Sequence, residues 1–142
     1  MTTFIPGSTS TKPYLFDQAG IIAFAHGSGD MNPLHHDPEV AAKSRFGGLI
    51  ASGAHMTAVL MGFGATIVSE RDPSVGLEFT FRFQRAIPAG TETLLSWTIV
   101  SVEPHEKLGG TLLTFDGAIT GLDGKRYVSA VGKAVVWEAV PN

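Results

Sequence analysis

The spacing of hydrophobic side chains changes once along the chain, near residue 74. Before it, apolar residues recur three and four apart or crowd together. After it, they alternate. Residues 1–11 are rich in Thr, Ser, Pro and Gly and read as a loose lead-in, followed by a short strand over Lys12–Phe16. Behind Asp17, a favourable N-cap, Ile21, Ile22, Phe24 and Ala25 recur at helical spacing and predict an amphipathic helix over 18–26, closed by Gly27-Ser28-Gly29. After a loop over 28–36, Asp37-Pro38-Glu39 places an N-cap, a proline at the first helical position and an acid in the first turn; this short helix is expected to end near Arg45. Leu49-Ile50-Ala51 is extended, and Ser52-Gly53 opens a third helix, 53–69. That helix is apolar on nearly every side and is therefore expected to be buried; Arg71-Asp72-Pro73 ends it.

Over 75–84 the apolar residues fall on odd positions, Val75, Leu77, Phe79, Phe81 and Phe83, which is a strand with one buried face. Further strands are expected over 92–103, 111–120 and 126–138, with Asp123-Gly124 at the centre of the last hairpin. Connections this short imply antiparallel pairing. The pattern is an α+β architecture in which a meander of strands covers one long apolar helix.

Composition narrows what this architecture can do. The chain has 142 residues, 44% apolar and 16% charged, as befits a single globular domain with a real core. So low a charged fraction leaves room for a further apolar surface such as a subunit interface. The net charge of −3 is made of scattered charges of both signs, with no basic stripe for nucleic acid. There is no cysteine, which excludes disulfides and thiolate chemistry and is compatible with a reducing cytoplasm. The N-terminus lacks the basic-then-apolar pattern of a signal peptide. The longest apolar stretch, around 56–68, is broken by Gly62 and Gly64 and falls short of the about 20 residues a bilayer span needs, so no membrane partner is expected.

Candidate chemistry concentrates in residues 24–38, which hold His26, Asp30, His35, His36 and Asp37. Asp30 and His35 flank an Asn32-Pro33 step that cannot continue a helix smoothly. The loop this forces can fold back and bring a carboxylate and an imidazole to one point, as a water-activating acid/base pair requires. His26 and His36 read as ordinary surface or core histidines. No cysteine or regular ligand spacing accompanies them, so no metal site is expected. Ser28 reads as a loop-capping residue, without the base and orienter a nucleophile needs. His55 stands out in the apolar helix and is a candidate lining residue. Met56, Met61 and Phe63 read as core that can also face an acyl group.

The run Phe24-Ala25-x-x-Ser28-Gly29-Asp30-x-Asn32-Pro33-Leu34-His35-x-Asp37-Pro38 resembles the signature of MaoC-like dehydratases and R-specific enoyl-CoA hydratases. Phe46-Gly47-Gly48-Leu49-Ile50-Ala51-Ser52-Gly53 resembles the entry to that family's central helix, and Ile87-Pro88-Ala89-Gly90-Thr91 its turn after the next long strand. The resemblance spans residues 14–137 and implies the hot-dog fold, an antiparallel sheet wrapped around a long helix. The implied activity is reversible addition of water across the 2,3 double bond of a trans-2-enoyl-CoA, giving the R-3-hydroxyacyl product. By position, Asp30 and His35 match the catalytic pair and Asn32 a site-orienting residue. Gly53 matches the glycine whose backbone N–H holds the thioester oxygen, and Ser28 falls among the substrate-binding positions. No cofactor is implied, since coenzyme A is part of the substrate.

Elementary chemistry supports the same parts. The developing enolate charge sits on the thioester oxygen, and an N–H at the start of a helix favours negative charge there. Glycine lets a ligand approach that backbone closely. Many family members carry His-Gly-Met at this point where this chain has Ser52-Gly53-Ala54, so Ser52 is expected to cap the helix. Acyl chain length stays open. The competing readings are a hot-dog acyl-CoA thioesterase and a non-catalytic acyl-CoA binding subunit. A free sheet edge and an open cleft imply a homodimer. Lys43, Arg45, Arg82 and Arg85 are candidate partners for the CoA phosphates.

Overall fold

The computed structural model describes residues 4–70 and 72–137. Readings that fall on Met1–Thr3, Arg71 and Glu138 lie outside them. The element order is β1 (Thr9–Phe16), α1 (Gln18–Ser28), a 3-10 turn (Pro33–His35), α2 (Pro38–Ala42), α3 (Gly53–Val68), β2 (Ser74–Phe83), β3 (Thr91–His105), β4 (Gly110–Gly121) and β5 (Arg126–Val136). The strands form one antiparallel sheet in the order β1-β3-β4-β5-β2, the arrangement expected of a hot-dog fold. No helix among the described residues is long and apolar enough to cross a membrane.

Alternation sets the sheet's inner face. In β3, Thr93, Leu95 and Trp97 are buried; in β4, Leu113, Phe115, Gly117 and Ile119 are; from β5, Val128 and Ala130 join them. Register brings these residues together, with Leu95 opposite Ile119 and Trp97 opposite Gly117. The helix α3 is seated on this face by Trp97, whose indole N–H donates to the Leu60 carbonyl at 2.9 Å. Glycines on both sides make room for that ring. A Cβ at Gly64 would lie 2.9 Å from Trp97 Nε1, and one at Gly117 would lie 2.5 Å from Trp97 Cζ3.

Three expectations need correction. The lead-in is shorter than residues 1–11, because β1 already pairs at Thr9, opposite Thr98 of β3. The helix α3 is not buried all round. His55, Met56, Leu60, Gly64 and Val68 form the buried stripe, while Ala54, Ala58, Met61, Gly62 and Ala65 are exposed. A single sheet covers a single side of a helix, and the other apolar side meets solvent in the isolated chain. Strand β2 likewise has no fully buried face: Val75, Leu77 and Phe83 are 51%, 42% and 51% exposed, and Phe79 and Phe81 are half-buried. β2 is an outer strand, and a bulge between Gly76 and Glu78 breaks its alternation. Smaller shifts concern α2, which stops at Ala42, and β5, which stops at Val136. Trp137 beyond it donates its backbone N–H to Pro73 and its indole N–H to Leu108.

Gly117→Ala tests the seating of α3. Its methyl group meets a ring that the Leu60 bond and Gly64 prevent from retreating. The expected cost is about 1–3 kcal/mol of overpacking, read as a lower urea midpoint at unchanged slope.

Candidate active site

The site is assembled from three chain segments, each held by main-chain atoms. The first is the end of α1. Asp17 caps its start by accepting from the Gly20 N–H, and Gly29, with φ 74°, ends it in the left-handed region that glycine tolerates. The turn sends Asp30 back over the helix end, where its N–H donates to the Ala25 carbonyl at 2.9 Å. Asp30 Oδ1 accepts the Asn32 N–H at 3.1 Å, a local turn bond that leaves Oδ2 outward.

The second segment is the 3-10 turn. Asn32 caps it, its Oδ1 accepting from the Leu34 N–H at 3.1 Å, and Pro33 supplies a preset first residue. His35 closes the turn and is buried. Its Nδ1 lies 2.8 Å from the Ile50 carbonyl oxygen, which only accepts, so Nδ1 carries the proton. The lone pair of the neutral ring is therefore on Nε2. That atom faces Asp30 Oδ2 at 3.8 Å and the Asn32 amide nitrogen at 3.4 Å. A separation of 3.8 Å is too long for a direct hydrogen bond and would let one water bridge the two atoms at hydrogen-bond distance from each.

The third segment runs from Leu49 into α3. It is stitched to the 3-10 turn by the Ile50 N–H on the Leu34 carbonyl, and to the turn before β3 by Ala51 N–H on Ile87 and Ala89 N–H on Leu49. Ser52, buried, caps α3 by accepting from the His55 N–H at 3.1 Å. Gly53 is the first helical residue, so its N–H has no intrahelical acceptor and sits at the positive end of the dipole. A Cβ here would lie 3.2 Å from the Phe83 ring, so glycine also lets β2 close against the helix start.

Asp30, Asn32 and His35 thus converge at one point, and Gly53 follows three residues after the carbonyl that holds His35. Ser28 points elsewhere: its hydroxyl donates to the Ala25 carbonyl at 3.2 Å. His26 and His36 face each other at 5.5 Å between ring centroids, and His36 Nε2–H donates to the Met31 carbonyl. No group of three or more potential metal ligands occurs among the described residues. His55 is sealed in an aromatic wedge of Tyr14, Phe16 and Phe24. Burial pushes its pKa down, with the Asp17 carboxylate opposing more weakly. The sequence reading did not find the role of Ile50, which acts through a carbonyl that any residue supplies, or that of Phe83, which alternation assigned to the core.

The family model described as "MaoC like domain" matches residues 5–112. An UPF0336 protein of Streptomyces avermitilis is 27% identical over 133 residues, covering 88% of this chain and 86% of that protein. Two solved structures share the fold. The R-hydratase PhaJ1 from Pseudomonas aeruginosa superposes with a TM-score of 0.84 at 23% identity, covering 96% of this chain and 84% of that one. The (R)-hydratase from A. caviae involved in PHA biosynthesis superposes at 0.83 and 22% identity, covering 95% and 98%.

The burial of a neutral His55 has a stability consequence. Its folded pKa lies below the ordinary value, so below pH about 6.5 the unfolded chain takes up a proton that the folded chain refuses. Stability should fall as pH drops from about 6.5 to the folded pKa and then level off. Urea midpoints measured from pH 7.5 to 5 should show this slope in the wild type and a flatter one in His55→Phe.

Proposed function

The chain belongs to the MaoC-like domain family, and on that premise we propose that it adds water reversibly to a trans-2-enoyl-CoA to give an R-3-hydroxyacyl-CoA. The observation that carries this reading is the opposed pair Asp30 Oδ2 and His35 Nε2, 3.8 Å apart, with the imidazole's other nitrogen committed to Ile50. A water held between them is aimed by the carboxylate and deprotonated by the Nε2 lone pair as its oxygen bonds to C3. Electrons of the double bond move toward the thioester oxygen. The Gly53 N–H and the dipole of α3 stabilise the charge that develops there. The imidazolium returns a proton to C2 on the same face, so the pair ends as it began. Asp30 stabilises the transient imidazolium, and the Asn32 amide nitrogen, 3.4 Å from Nε2, flanks the atom that carries the proton. The scheme calls on the chain's own groups, one water and the thioester, so the proposed reaction uses no cofactor beyond the coenzyme A of the substrate.

A mainly apolar hollow of about 140 Å³ beside the second half of α3, lined by Met61, Gly64, Ala65, Phe79 and Ala134 among others, is a place for the far end of a longer acyl chain. The uncovered side of α3 and the exposed Val75, Leu77 and Phe83 of outer strand β2 favour association with a second copy of the chain.

Incubation with crotonyl-CoA separates the alternatives. Loss of enoyl absorbance without free thiol supports hydration, thiol release identifies a thioesterase, and no change with short or long enoyl-CoA leaves a binding subunit. Asp30→Asn and His35→Ala should each lower kcat by at least about a hundredfold, with unchanged circular dichroism. A near-native rate in either would remove that residue from the mechanism. Light scattering should give twice the chain mass, and a monomer would count against the second copy.

A further inference from the structure

The Asp30 backbone is attached to the end of α1 through Ala25 and its carboxylate to the Asn32 N–H, whereas His35, on the 3-10 turn, is bound to the segment that enters α3 with Gly53. The catalytic loop joins the two units covalently. Behind it, an aromatic contact bridges the end of α1 and the first turn of α3. Phe24, next to Ala25, stacks on His55, two residues after Gly53, with centroids 4.7 Å apart and planes 6° apart.

The His55 ring is held on every other side. Phe16 and Tyr14 of β1 meet it edge-on at 5.0 and 6.1 Å, and Tyr14 Oη lies 3.1 Å from Nε2. Its backbone N–H is fixed by Ser52. The residue is 3% exposed, and Nδ1 has no hydrogen-bond partner among the described residues. An unpaired buried nitrogen costs stability, and a phenylalanine in the same wedge avoids that cost. The imidazole offers one thing phenylalanine lacks, the bond to Tyr14 that stops the ring turning and so fixes the plane on which Phe24 rests.

We propose that His55 is a positioning residue: locked by Tyr14, it sets the distance between the Asp30 carboxylate on the α1 side and the His35–Gly53 unit on the α3 side. This rests on the hydratase reading for its kinetic effect but not for its geometric one. The device predicts a divergence between stability and activity that a packing role would not produce.

The test compares His55→Phe with Tyr14→Phe and the double variant. His55→Phe should be at least as stable as wild type at pH 7.5, yet lose about tenfold in kcat on crotonyl-CoA with KM changed less than about twofold, since small misplacements of reacting groups are costly. Tyr14→Phe, which keeps both rings, should lose a similar factor, and the double variant should lose no more than either single one. NMR titration of the His35 ring gives a readout independent of turnover. Its midpoint should move in both variants, because the spacing to Asp30 changes. Inactivity of the wild type toward enoyl-CoA would fell the hydratase reading alone. An unmoved His35 titration in both variants, or an activity loss that tracks lost stability, would overturn the positioning role. Should His55→Phe not fold, Tyr14→Phe decides by the same two measurements.

Discussion

The hydrogen bond from His35 Nδ1 to the Ile50 carbonyl carries more of this structure than its length suggests. It settles which imidazole nitrogen holds the proton and thereby which one faces Asp30. It also attaches the 3-10 turn to the segment that becomes α3, so the imidazole and the first N–H of that helix share one frame. The Ile50 N–H on Leu34, and the bonds linking Leu49 and Ala51 with Ala89 and Ile87, brace this frame against the start of β3. Removing the imidazole would therefore take away the group that pairs with the Ile50 carbonyl.

The frame stands on the sheet through α3. Trp97 donates to Leu60 from below, and glycines above and beneath the indole allow helix and strand to close on it. The helix is thus fixed along its length by packing and at its start by the Ser52 cap. A polar site is held rigidly by an apolar seat.

Much of this was legible in the sequence. The Asp17 and Asp37 caps, the proline at the start of α2 and the Ser52–Gly53 opening are local rules that the fold leaves in force. The pairing of Asp30 with His35 was legible because an Asn-Pro step interrupts the helix and lets the loop fold back, and Asn32 through the motif's resemblance to the family signature. What escaped was what one chain cannot say about coverage. The apolar residues of α3 and β2 read as core, yet Met61, Val75, Leu77 and Phe83 reach the surface of the isolated chain. Periodicity reports that a face is apolar and is silent on what covers it. The aromatic wedge around His55 escaped for another reason. Tyr14, Phe24 and His55 lie on three elements whose meeting is a matter of tertiary packing.

The site hangs on main-chain atoms: the carbonyls of Ala25 and Ile50 and the N–H of Gly53. A carbonyl is the same group whatever side chain accompanies it. The buried side chains at positions 25 and 50 therefore serve packing, and these residues reach the site only through the path of the backbone. A neighbouring side chain can therefore change while Asp30 and His35 keep the carbonyls that hold them in place.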